Sequence, residues 1–285
     1  MSANTKDKAE FASQLGLSRN RPACAEKWWT PVVSMEYETH SGHNIALTAC
    51  GLGIVLGCGL TIALNNGWTY IGIFGIYSML VPLYHVLEYM CVALYNPSRV
   101  ELESFMFSPD GEGLYPVALA VSLAEYVIEC WLFAGGGKTP GVIPAIGLVF
   151  AVAGQLIRTL AMITAKTSFN HYIANRREQD HTLITHGIYK YERHPSYVGF
   201  FMWAVGLQLM LKNPLSTILF AGALSYFFCK RVAYEERTLR FLFGEKYTLY
   251  MEQTSTLIPI LQVFAKPKTI SARASSSKAS ASTKK

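Results

Sequence analysis

Charge is scarce in this chain of 285 residues: Asp, Glu, Lys and Arg together make up 15% of it, against roughly 25% in soluble domains. No run alternates apolar and polar residues as a half-buried strand would, which argues against a sheet domain. Paired cysteine spacings are also missing. The six cysteines stand at 24, 50, 58, 91, 130 and 229, mostly in or beside oily segments, so neither a disulfide framework nor a zinc site is implied and no metal is expected. No GxGxxG follows a strand, so a nucleotide-like cofactor would not sit in a Rossmann domain. The AGGGKT at 134–139 fails as a phosphate loop, because Leu132 stands where the pattern needs its first glycine; it reads as a flexible turn. The first 42 residues hold no apolar core of a secretory signal.

What the chain has instead is oil in blocks. Hydrophobic residues make up 51% of it, and about 20 of them in a row cross a hydrocarbon core of ~30 Å. Spans are expected at 45–64, 68–95, 115–133 and 142–165, with a tight helical hairpin of two shorter ones at 197–211 and 214–229. Alternating the loops between the two sides places 22 Lys and Arg on one side and two on the other. That asymmetry fits six spans with both termini cytoplasmic. The expectation is an all-α polytopic membrane protein: an N-terminal segment 1–42, spans 1–4 over 43–165, a region 166–258 that holds the hairpin and a C-terminal amphipathic helix, and a tail 259–285. From Lys266 the tail has six basic residues, many serines and no acid, so it reads as disordered and suited to anionic lipid rather than nucleic acid.

Ionisable residues inside a bilayer are functional candidates by default. His85, Glu88 and Tyr89 share one face of the second span. An internal hydrogen-bond cluster joining that face to Arg158, Glu125 or Glu129 on neighbouring spans accounts for them equally well, and the two readings are compatible. Gly53 with Gly57, and Gly147 with Ala151, are small pairs four apart that let helices approach; packing within the chain is expected over dimerisation.

Two polar segments flank the hairpin, HYIANRREQDHTLITHGIYKYERHPSYVG at 171–199 and KRVAYEERTLRFLFGEKYTLY at 230–250, so the hairpin brings them together. Pro195 suits the first turn of a helix, and unbonded N–H groups at such an end attract anions. An ordinary helix cap with an aromatic belt accounts for the same residues. Arg231 and Glu235 stand four apart on one helical face. As an ion pair they are in the weaker order and contribute at most ~0.5 kcal/mol. As a clamp they make better sense: Arg offers a fork to a carboxylate, and Glu accepts from an ammonium or a ribose hydroxyl. Gly244 should end this helix, and Tyr247 and Tyr250 suit a short amphipathic helix over the membrane surface.

HTLITHGIYKYERHPSYVG, the Asn213-Pro214 pair and EERTLRFLFGEKYTLY together resemble the isoprenylcysteine carboxyl methyltransferase family. CGLGIVLGCGL, HVLEY, NPSRVELESF and TAKTSFNHYIANRR are similar to further stretches of that family, so the resemblance covers roughly 50–258. It implies a multi-pass enzyme of the endoplasmic reticulum membrane that methylates the C-terminal carboxylate of farnesyl- or geranylgeranyl-cysteine on CaaX-processed proteins, with S-adenosylmethionine as donor. By resemblance, the cofactor contacts fall on His181, Thr182, Leu183, Ile184, Tyr189, His194, Pro195, Ser196, Tyr197 and Glu235, and the substrate-binding, catalytic arginine on Arg231. Ala174 stands where animal relatives have a glutamine contact, which is then absent or made by backbone. Two N-terminal spans of animal members have no counterpart, as in the six-span fungal form, and the Ser/Lys tail matches nothing. Arg193 reads as a structural partner of Glu236 rather than a second substrate cation.

The same motifs in outline occur in phospholipid N-methyltransferases and some sterol reductases. Arg231 speaks against an amine acceptor, since it would repel an ammonium, and the matches outside the shared motifs disfavour the reductase. A transporter or scaffold with a path along His85, Glu88 and Arg158 leaves the polar segments without a role and lacks evident repeat halves.

Overall fold

Apolar runs without charge fold here as helices, which bond their own backbone and so leave no polar group exposed to lipid. The structure, a computed structural model, describes residues 42–107, 114–133, 136–169 and 182–256. Within them the α-helices are α1 (Gly42–Asn66), α2 (Tyr70–Tyr95), α3 (Leu114–Leu132), α4 (Val142–Ala165), α5 (Pro195–Met210), α6 (Pro214–Phe243) and α7 (Glu245–Gln253), joined by short 3-10 turns and no strand. The N-terminal segment, Ala174, His181 and the tail from 259 lie outside the described residues.

Five of these helices, α1 to α4 and α6, are long and apolar enough to cross a membrane. The expected fifth span is the 16-residue α5, ~24 Å long at ~1.5 Å per residue, short of a ~30 Å core. The expected sixth span does not stop at Cys229. It runs unbroken for 30 residues to Phe243, ~45 Å, because nothing after it breaks a helix until Gly244, whose φ is 58°. One face of the rod is therefore apolar for four turns and then carries Arg231 and Glu235.

Helices α4 and α5 pack closest. A Cβ on Gly199 or Gly206 would lie 2.6 and 2.5 Å from the backbone nitrogens of Arg158 and Ala151, and Gly147 and Gly154 face α5 as tightly. The core lies beside this contact, where Tyr84 of α2 stacks on Trp203 at 4.2 Å. Gly53 and Gly57 differ from the expectation: a Cβ on either would meet nothing within 4 Å among the described residues. The α1–α2 contact is made by Gly59 and Gly75 instead, on another side of α1.

The turn expected to be loose is pinned. Lys138, 2% exposed, donates to the carbonyl of Lys212 and to Asn213 Oδ1, both at 2.8 Å, and pairs with Glu129. Glu125 accepts the N–H groups of Leu215 and Ser216 at 2.8 and 2.7 Å, capping α6. Glu125 and Glu129 thus serve the hairpin end. Arg158 is held by Glu88, whose Oε2 takes its Nη2 at 2.8 Å while Oε1 takes Nε. His85 bridges the carbonyl of Phe105 at 2.7 Å and the Tyr115 hydroxyl at 3.2 Å, and Tyr89 stacks on Phe105 at 4.4 Å.

Candidate active site

The residue before a proline avoids helical φ/ψ, so His194, at φ −125° and ψ 55°, stays outside the helix and α5 begins at Pro195. This puts the start of α5 beside the second half of α6, with α7 folded back across them. The three enclose one end of a cavity of about 970 Å³. Thr182, Leu183, Ile184, Tyr189, His194, Pro195, Ser196, Tyr197, Arg231 and Glu235 all line it. Every sequence-predicted site residue that the structure describes is thereby brought together; His181 falls outside the described residues.

The Tyr197 hydroxyl is the hinge of this polar arm. It donates to Glu235 Oε2 at 2.6 Å and accepts from Arg231 Nε at 2.9 Å. The spacing of Arg231 and Glu235 on α6 is thus bridged from α5, which fixes both heads against one wall. The Tyr197 ring lies between His194, parallel within 3° at 5.6 Å, and Phe228 at 4.9 Å. Ser196 receives Arg158 Nη1 on its hydroxyl at 3.0 Å and on its carbonyl at 3.3 Å. Through Glu88 and Arg158, then, α2 and α4 hold the first turn of α5 in place.

Beside this wall lies a second ionic layer, of which Arg193 and His194 also line the cavity. Arg193 binds Glu236 Oε1 at 2.9 Å through Nε, and its Nη1 reaches the carbonyl oxygens of Met251 and Thr254. It acts as the expected structural pair and also pins the end of α7. His194 approaches Glu236 at 3.3 Å and Glu235 at 3.8 Å. Burial works against charge on this imidazole, but the hydrogen bond to Glu236 and the charges of Glu235, Glu236 and Glu192 outweigh it and raise its pKa. Tyr250 donates to the carbonyl of Tyr189 at 2.6 Å. Tyr247 and Tyr250 are therefore buried against Leu183, Leu239 and Phe243; burial drives both phenols' pKa upward.

The sequence reading missed the other arm. Tyr115 and Ala118 of α3, Phe200 and Ala204 of α5, and Phe220 and Leu224 of α6 continue the cavity away from the polar end. The available signal was the i, i+3, i+4 stripe on α6, which any packed span also shows.

The family model for isoprenylcysteine carboxyl methyltransferases matches residues 145–241. The protein-S-isoprenylcysteine O-methyltransferase of Homo sapiens is 37% identical over 221 residues, covering 77% of this chain and 76% of its own. That of Saccharomyces cerevisiae is 36% identical over 228 residues, covering 77% and 92%. A solved structure of a eukaryotic intramembrane Ras methyltransferase of this kind superposes with a TM-score of 0.72 at 36% identity, over 77% of each chain.

Proposed function

Because the chain belongs to the isoprenylcysteine carboxyl methyltransferase family, we propose that its cavity methylates the C-terminal carboxylate of farnesyl- or geranylgeranyl-cysteine on CaaX-processed proteins, with S-adenosylmethionine as donor. The observation that carries this reading is the continuity of a polar arm around Arg231 and Glu235 with an apolar arm along α6. A charged cofactor and a lipid-tailed acceptor need such a pair of compartments.

The polar arm fits the donor chemically. Glu235 offers a carboxylate to an ammonium or a ribose diol, the α5 N-terminus attracts a carboxylate, and Tyr189, Tyr197 and His194 offer ring faces to a purine. When bound, S-adenosylmethionine supplies an electrophilic methyl group on sulfur. No base is required of the protein, since an α-carboxyl group with pKa ~3.5 is already ionised at neutral pH. Arg231, steadied by Tyr197, orients that carboxylate through its fork. The surrounding Tyr, Phe and Leu side chains exclude water, and neutralisation of opposite charges gains from a dry site.

The Lys and Arg distribution, 22 against two, supports a cytoplasmic position for both termini and for the polar arm. Residues 166–258 then form the catalytic region behind the spans of 43–165, in the endoplasmic reticulum membrane. Membranes containing the protein, labelled S-adenosylmethionine and N-acetyl-S-farnesylcysteine test the reading. Base-labile methyl ester is expected from this acceptor and not from N-acetylcysteine. Cofactor binding without ester overturns it, and phosphatidylethanolamine becomes the acceptor to try.

A further inference from the structure

The apolar arm has a definite end. Along α6 its lining steps from Arg231 through Phe227, Leu224 and Phe220 to Ser216, fifteen residues, or ~22 Å at ~1.5 Å per residue. On the facing walls the lining stops at Ala204 of α5 and Val121 of α3, although both helices continue. Just beyond, Ser122 donates to Gln208 Oε1 at 2.6 Å, and Asn213 Nδ2 donates to the carbonyl of Ser122 at 2.9 Å and to Gln208 Oε1 at 3.2 Å. All three side chains are 0% exposed. Lys138 ties Asn213 to the preceding turn, and Glu125 caps Ser216 from the same side. An apolar chain sliding down the arm meets a bonded polar wall, which it could enter only by breaking hydrogen bonds it cannot replace.

The last helical turn before that wall is built from small side chains. Ser216 and Ala204 are each 1% exposed. A helical serine commonly bonds back to the carbonyl four residues earlier, but here that carbonyl, of Lys212, takes Lys138 Nζ. The Ser216 hydroxyl has no partner among the described residues. Prenyl chains differ by whole isoprene units. One unit adds four backbone bonds, ~5 Å at ~1.5 Å per bond after zigzag projection, which matches one helical turn of ~5.4 Å.

We infer that Ser216 and Ala204 gauge prenyl length. They close the deep end of the lining in front of the Ser122–Gln208–Asn213 wall, so the final isoprene unit of a twenty-carbon chain ends against them, and a fifteen-carbon chain ends about one turn short of them. This inference rests on the prenylcysteine reading above and assigns the determinant of chain length within it.

The test compares N-acetyl-S-farnesylcysteine with N-acetyl-S-geranylgeranylcysteine on the full chain, for the parent protein, Ser216→Leu and Ala204→Leu. The parent is expected to methylate both. Each variant should lose kcat/KM for the geranylgeranyl acceptor by on the order of tenfold or more, chiefly through KM, while the farnesyl acceptor stays within about twofold. Retained farnesyl turnover also reports that a variant is folded, and the two variants approach the gap from different helices. Equal loss on both acceptors with S-adenosylmethionine binding intact, or no change in discrimination, overturns the gauge. A parent protein that esterifies neither acceptor overturns the prenylcysteine reading itself, a result visible before any variant is made.

Discussion

Arg231, Tyr197 and Glu235 form a chain of two hydrogen bonds, and the middle link is the informative one to cut. Arg231→Ala should lower kcat/KM for prenylcysteine by at least ~10²-fold, the usual consequence of deleting one partner of a desolvated charge contact, with S-adenosylmethionine binding little changed. Equal loss of both, read by turnover and by equilibrium binding, would assign Arg231 to the cofactor pocket. Tyr197→Phe should weaken both functions about tenfold, since one net hydrogen bond contributes ~1 kcal/mol and here it steadies two heads. His194 adds a pH dependence. Its pKa is raised in the fold, so its contribution to stability is complete below the unfolded imidazole's ~6.5 and disappears as pH rises through the raised value. Thermal stability should fall over that window, and His194→Gln should flatten the slope; an unaltered slope would place the titration on another group. At this scale the sequence was generous for the polar arm. Its residues sit in two short segments at helix ends, and so many polar side chains against oil are costly unless they hold a ligand or one another. Ala204 and Ser216 gave no such sign, because a small residue in a span looks the same whether it faces lipid, a neighbour or a slot.

Helix limits were legible where composition changes sharply. The fourth span, 142–165, coincides with α4 (Val142–Ala165), and the first three differ from the expected ends by only a few residues. Gly244 was legible as the end of the polar helix, but its join to the sixth span at Lys230, where charges begin, was not: backbone hydrogen bonding does not register a change of solvent, and the two form one rod to Phe243. The small pairs were half legible. Gly147 and Ala151 do meet α5, whereas Gly53 and Gly57 meet nothing among the described residues; spacing shows that a face is smooth without showing what it touches. Gly154→Leu should therefore lower the melting temperature of the detergent-solubilised protein by several degrees, as overpacking costs about 1–3 kcal/mol. Gly53→Leu should leave it unchanged, and a matching drop would mean that α1 packs elsewhere in the fold.

For the whole molecule, the short α5 sets a dimension of its own. At one end Glu192, Arg193 and His194 are buried among polar partners, and at the other Lys138 and Asn213 are; the helix between them is 16 residues long, ~24 Å. Two polar belts held that close favour a thin bilayer, and mismatch adds fractions of a kcal/mol per Å of excess thickness. Reconstituted into phosphatidylcholine vesicles of graded acyl length, the protein should turn over fastest in the shorter-chain lipids, and a maximum in the longest would show that α5 does not set the span. Early secretory membranes are a few Å thinner than the cell surface. The same short helix that seats the polar arm would then couple turnover to the thickness of whatever membrane holds it.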